Sequence, residues 1–360
     1  MEKKRIFYFD ILRAIGCVLV VGVHVSAFSM DELPLRSLDF FFANAYDCLS
    51  IFGVPLFVML SGALELKRDF SDSTQEILHS VKKSCYLMLL YFLWLAFYNV
   101  LNCIQEGYGF SLNSVKQNIL LSSLLGRGIY HLWFLPMLAG LTLVSPFLRL
   151  IARNKKISCY FLVLYTLFTI FFPTLLKFQY RFPYYELVEG LYSRIPYVVI
   201  TGFTGYFLLG HFLAFHLPSQ SKNKNILFLC VFLFSWGIGA GICFYDSLLW
   251  GQPSTIINDP YSVTDFLAVT SLFLLVKNIF SKTDEEKTLW PRFIRTLADC
   301  SLGIYLLHPA LLMLLKWAGF STLFLPQALS IPLTVAGVVA ICLLITFLLR
   351  KIPGIGKLLS

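Results

Sequence analysis

Residues 7–28 read FYFDILRAIGCVLVVGVHVSAF, an apolar run that carries three ionisable groups, Asp10, Arg13 and His24. An imidazole that is neutral near pH 7 can take a proton from an alcohol and return one to a leaving group. A guanidinium offers a planar fork that grips phosphate better than an ammonium does. Arg13 and His24 stand eleven positions apart, a spacing that in a helix returns to within about 20° of its starting direction over a rise of roughly 16 Å. Both side chains therefore share one face, with Arg13 near one end and His24 deeper in. Asp10, one turn before Arg13, is spaced to pair with the guanidinium or orient it. Singly, His24 could be polar glue between helices and Arg13 a snorkelling anchor. Together they suit a channel for a long, anionic, reactive substrate, with a fixed cation at its mouth and a titratable base far inside.

Three further runs hold candidates. Residues 129–136, IYHLWFLP, place His131 and Trp133 at headgroup level, where a Trp is ordinary. Residues 55–62, PLFVMLSG, put Ser61 beside Gly62, and such small residues usually mark close helix packing. Residues 301–309, SLGIYLLHP, set Tyr305 and His308 on one face, directly before a proline expected to kink the helix. A third intramembrane histidine favours a polar cavity, with Ser61, His131, Trp133, Tyr305 and His308 as supporting residues. The histidines stand on separate runs without metal-ligand spacing, so no metal site is indicated. His211 reads as interfacial, and His79 and His216 as loop or helix-end residues.

The elements that must position these groups are membrane helices. The chain is 58% hydrophobic and 14% charged, against about 25% charged in soluble domains, and its mean hydropathy is +0.74. It reads as an all-α, polytopic membrane bundle. Beyond the first run, apolar stretches near 48–66, 85–104, 131–151, 158–176, 196–216, 226–245, 261–279, 297–318 and 329–349 are each about long enough to span. Ten crossings place both termini on one side. Loops on that side hold 21 of the 29 Lys and Arg and the opposite loops 6, an asymmetry that puts both termini in the cytoplasm. The net charge of +9 is thus a topology signal and not a nucleic-acid patch. The basic start followed by an apolar run resembles a signal peptide, but its length and its ionisable residues mark a retained helix. Arg13 then faces a cytoplasmic vestibule, and His24 lies in the outer half of the bilayer.

Nine cysteines are scattered singly with no C-x-x-C, so free buried thiols are expected. No linker or repeat divides the chain, and 1–360 reads as a single membrane domain without an appended soluble one. The outward loop 177–195, rich in Tyr and Phe with Glu186 and Glu189, suits a sugar surface or, equally, an interfacial belt.

These residues, in this order, resemble the integral membrane acyltransferase-3 family. The first run matches its Arg-x10-His signature as Arg13 and His24, preceded by Asp-x-x-Arg as Asp10 to Arg13. PLFVMLSG is similar to the family's Phe-rich Ser-Gly segment. IYHLWFL and SLGIYLLH look like the subgroup of surface-polysaccharide O-acyltransferases that contains the enterobacterial common antigen O-acetyltransferase. Many members carry a Trp-Ser-Leu segment followed by paired glutamates where residues 131–148 here read HLWFLPMLAGLTLVSPFL, so any role of those acids is not carried over.

The resemblance implies a bacterial inner-membrane enzyme with an acyl-CoA donor, most often acetyl-CoA, and a hydroxyl of a glycan or lipid-linked glycan as acceptor. No metal is expected. The CoA phosphates would meet Arg13, oriented by Asp10 and assisted by basic loops carrying Lys82, Lys83, Arg149 and Arg153. The thioester would lie near His24, acting as general base or as a transient acyl carrier. Some members carry a fused extracytoplasmic hydrolase-like domain. Without one, the membrane unit would acylate its acceptor itself or hand the group to a separate extracytoplasmic protein. A flippase or transporter for a lipid-linked glycan is the alternative from another class, although the two related halves of many transporters are not visible in the sequence. Within the family the alternatives are another acyl group, such as succinyl, or a non-glycan acceptor.

Overall fold

The computed structural model describes residues 5–107, 119–120, 122–124, 130–178, 184–194, 200–219, 223–281, 291–352, 354 and 356. Its principal elements are all helices: α1 (Phe7–Ser26), α2 (Leu38–Ser50), α3 (Gly53–Leu66), α4 (Ser73–Gln105), α5 (Phe134–Leu143), α6 (Ser145–Ala152), α7 (Lys155–Tyr165), α8 (Tyr185–Tyr192), α9 (Thr204–His211), α10 (Lys224–Trp250), α11 (Val263–Phe280), α12 (Pro291–Asp299), α13 (Ser301–Trp317) and α14 (Gln327–Leu349). In hydrocarbon every backbone N–H and C=O must be satisfied within the chain, and a helix does this segment by segment. Large apolar side chains accordingly point outward, Phe147, Phe234 and Ile226 among the most exposed. The protein is a polytopic helical membrane protein. Among the described residues, seven runs are long and apolar enough to cross, or nine if each of two bent pairs is one span. Within the expected run 196–216, α9 begins at Thr204 and passes after His211 into a π-helical turn, Phe212–His216; residues 195–199 lie outside the described residues.

Local chemistry fixes the helix boundaries. Ser37 caps α2 by accepting from the Phe40 N–H, Asp72 caps α4 through Gln75, and Ser262 caps α11 through Asp265. These caps start α2 and α4 well before the apolar stretches that mark them in the sequence. The stretch expected as one span at 131–151 is instead two helices bent by 61°. Pro146, the second residue of α6, removes a backbone donor and restrains the residue before it, which accounts for the break. The stretch 297–318 is also bent, by 68° between α12 and α13. That break falls at Cys300 (φ −92°, ψ 0°), and α13 runs on through Pro309, where the sequence places the kink.

The chain divides into two compact units, residues 1–64 with 151–360, and residues 65–150. In the first, α1 packs against α2, α11, α12, α13 and α14, and Cys17, Val21 and Val25 join Ile304, Val338 and Cys342 in its core. Also there, α3 and α9 meet backbone to backbone. A methyl on Gly62 would collide with the Phe207 carbonyl, and one on Gly210 with that of Met59. The small residues of PLFVMLSG thus serve close packing. In the second unit α4 packs on α5, with Ser84 donating to the Ala139 carbonyl (3.0 Å) and Ser80 bonded to Ser145 (3.1 Å).

Candidate active site

Along α1 the helix is continuous from Phe7 to Ser26, so Arg13 and His24 keep the common face that their spacing dictates. The His24 ring stacks on His308 of α13, with centroids 5.1 Å apart and planes at 19°. His308 is fully buried, and its Nδ1 lies 3.0 Å from the Ile304 carbonyl. A carbonyl can only accept, so Nδ1 carries the proton, and in the neutral ring Nε2 is then the acceptor. Pro309, lacking an N–H, cannot bond the Tyr305 carbonyl one turn back, which leaves this turn polar beside the imidazole. The Tyr305 ring lies 6.3 Å from His308. Thus His24, His308 and Tyr305, from opposite ends of the chain, form one group.

The far end of α1 is pinned. Ser26, two residues beyond His24, donates to buried Asp47 of α2 (2.9 Å), which also accepts from Asn258 (2.6 Å). A hydroxyl and an amide satisfy a carboxylate that would be costly to leave bare in the membrane.

At the other end, Asp10 does not turn to Arg13. Its carboxylate takes both arms of the Arg5 fork, from Nε at 2.6 Å and Nη2 at 2.9 Å. Arg5 also reaches Asp299, the last residue of α12, at 2.8 and 3.3 Å. Hydrogen bonding to Asp10, aided by Asp299, raises the Arg5 pKa and keeps it charged. Asp10 therefore orients Arg5 and not Arg13, meeting the guanidinium side-on through Nε and Nη2. Arg13 is half-buried and makes no hydrogen bond or ion pair among the described residues.

The remaining basic candidates differ in what holds them. Arg149 and Lys83 lie in helices α6 and α4, where the sequence places basic loops. Arg149 is buried against Glu65 and Glu76, and Lys83 binds Glu65 at 2.6 Å. Both are thus paired with carboxylates, the Lys83 side chain being 36% exposed, and Lys82, also expected in a loop, lies in α4 too. Lys82 and Arg153 are exposed. His131 is buried, in a 3₁₀ turn (Tyr130–Trp133) ahead of α5, its ring edge-on to Tyr98 at 5.0 Å. Trp133 is 45% exposed. Ser61 is half-buried on α3, one residue before the Gly62 crossing.

The carboxylates Asp47, Glu65 and Asp299 are organising residues that the sequence reading does not single out. For Glu65 and Asp299 the signal was present, since each lies inside a membrane-length run, 48–66 and 297–318, where an acid is itself unusual. Asp47, just ahead of the run 48–66, carries no such mark. All nine cysteines are free.

A family model described as an acyltransferase domain, that of the acyltransferase-3 family, matches residues 6–350. No curated protein and no solved structure matches.

Proposed function

This chain belongs to the acyltransferase-3 family, and we propose that this membrane acyltransferase moves an acetyl group from cytosolic acetyl-CoA to a hydroxyl of a surface or lipid-linked glycan across an inner membrane. The observation that carries the reading is the single helix α1, which presents a guanidinium, Arg13, with no hydrogen bond among the described residues and, eleven residues along the same face, an imidazole stacked on a second histidine. A long donor with phosphates at one end and a thioester at the other fits that separation, since the spacing of roughly 16 Å is of the length of an extended pantetheine arm. The same logic favours the surface-polysaccharide subgroup, whose HLWF and SLGIYLLH segments this chain shares in kind.

In the direct route, His24 takes the proton of the acceptor hydroxyl as its oxygen attacks the thioester carbonyl. The C–S bond breaks, and the imidazolium returns the proton to the departing CoA thiolate. In the two-step route, a His24 nitrogen attacks first, releasing CoA, and the acyl-imidazole is then taken by the hydroxyl. His308 supports either route by its stacking, with its own proton directed to Ile304. Trapping of an acylated His24 distinguishes the two.

The test is release of free CoA thiol from radiolabelled acetyl-CoA by the purified protein in proteoliposomes, with a glycolipid extract as acceptor. Thiol release with label moving into alkali-labile esters is the expected result. If no acyl-CoA yields thiol, with or without acceptor, the donor assignment fails and a transporter for a lipid-linked glycan takes its place.

A further inference from the structure

Three guanidinium groups gather where α12 breaks into α13. Arg5 reaches Asp299, Arg350 donates to the Cys300 thiol at 3.7 Å, and Arg13 stands one turn beyond Asp10 on α1, which packs against α12. A thiol is a weak acceptor, so Arg350 is barely committed, and Arg13 makes no hydrogen bond among the described residues. Among the described residues, the carboxylates that pair with Arg5 are Asp10 and Asp299.

The two carboxylates are held differently. The Asp10 side chain is 5% exposed and grips Arg5 through Nε and Nη2, whereas the Asp299 side chain is 38% exposed and meets the outer edge of the same guanidinium. An exposed pair contributes little, because water competes for both partners. The outer edge of a guanidinium, two parallel N–H groups, is the geometry that a phosphate takes. Asp299 therefore occupies a position that an anionic oxygen of a ligand could claim at small cost.

We propose that Arg5 and Arg350 join Arg13 in binding the phosphates of the donor, and that Asp299 is a displaceable carboxylate holding the phosphate position until the donor arrives. The proposal rests on the acyl-CoA reading above and names the groups at the mouth of that site. Asp10 stays on Arg5 throughout and aims it. Once Asp299 is displaced, Arg5, Arg13 and Arg350 outnumber Asp10, and the mouth is left attractive to a ligand with several phosphates.

The test uses the full chain in nanodiscs and measures CoA binding by calorimetry in wild type, Asp299→Asn, Arg5→Lys, Arg5→Ala and Arg350→Ala, with thermal midpoints alongside. Asp299→Asn should bind CoA about two- to fivefold more tightly, the scale of one exposed ion pair, with an unchanged midpoint. Arg5→Lys, which keeps the charge but loses the fork, and Arg350→Ala should each weaken binding several-fold. Arg5→Ala strips a buried carboxylate of its partner, so it is read only if its midpoint holds. If wild type binds CoA and Asp299→Asn binds equally or more weakly, the displaceable carboxylate is overturned while the donor reading stands. Should wild type have no affinity for CoA, the donor reading fails and this proposal with it.

Discussion

Two clusters of guanidinium and carboxylate groups lie in this protein, one in each compact unit, and they are built on different principles. In the unit of residues 65–150, Glu65 and Arg149 are each 1% exposed. Glu65 takes Lys83 at 2.6 Å, His79 at 3.0 Å and Arg149 at 3.5 Å, while Arg149 also binds Glu76 and the Glu65 carbonyl. The Phe70 ring lies 4.9 Å from the guanidinium. At the start of α1, by contrast, Arg5 is 42% exposed and shared between a buried Asp10 and an open Asp299. Nearby Arg13 has no hydrogen-bonded partner among the described residues. In the first cluster the buried Glu65 and Arg149 each meet opposite charges, which is how a membrane protein tolerates buried charge. The second keeps, among the described residues, donors without a strong acceptor, which is what the proposed donor site requires.

That contrast can be broken by substitution. The largest effect is expected at the first cluster. Arg149→Ala leaves Glu65 and Glu76 without their shared guanidinium, and losing one partner of a buried pair costs about 3–5 kcal/mol. A marked fall in thermal midpoint and in yield should follow, with CoA affinity unchanged in whatever protein folds. A loss of affinity at an intact midpoint would instead return Arg149 to the donor site.

Next is His308→Ala, which removes the surface on which His24 stacks. Misplacing a reacting group by about 1 Å can cost up to about a hundredfold in rate, so turnover should drop while CoA affinity holds. A drop in affinity without a change in turnover would make His308 a ligand contact. For Asp10→Asn, which weakens the inner anchor of Arg5, a hydrogen bond to a charged group is worth about 1.5–3 kcal/mol. A lowered midpoint and weaker CoA binding are expected together, and the comparison sharpens if affinity suffers more than stability. The smallest effect on stability belongs to Asp299→Asn, within about 1 kcal/mol by the usual worth of an exposed pair, measured as an unchanged midpoint. A destabilisation as large as that of Arg149→Ala would make the two clusters alike.

Helix α1, which holds the proposed site, was legible in the sequence, because the apolar run, its ionisable residues and the eleven-residue spacing are local. The broken span at Pro146 was legible in principle, since proline declares itself, whereas the break at Cys300 has no such sign and depends on what packs around it. Pairing was least legible. Arg5 and Asp299 are 294 residues apart, and Arg149 and Glu76 are 73 apart. Helical spacing rules reach only one turn, so they joined Asp10 to Arg13 when a better-placed guanidinium came from outside the helix. The small residues around Ser61 had both a packing and a chemical reading, and the Gly62–Phe207 approach accounts for the packing one.

The central claim is that Arg13 binds and His24 reacts. Its most direct test compares CoA affinity and acetyl-CoA turnover in wild type, Arg13→Ala and His24→Ala, each in nanodiscs. The account expects His24→Ala to bind CoA as wild type does and to turn over about 10²–10⁴-fold more slowly, the usual worth of a general base. Arg13→Ala should lose affinity. Normal turnover by His24→Ala would contradict the account, and so would unaltered CoA binding by Arg13→Ala.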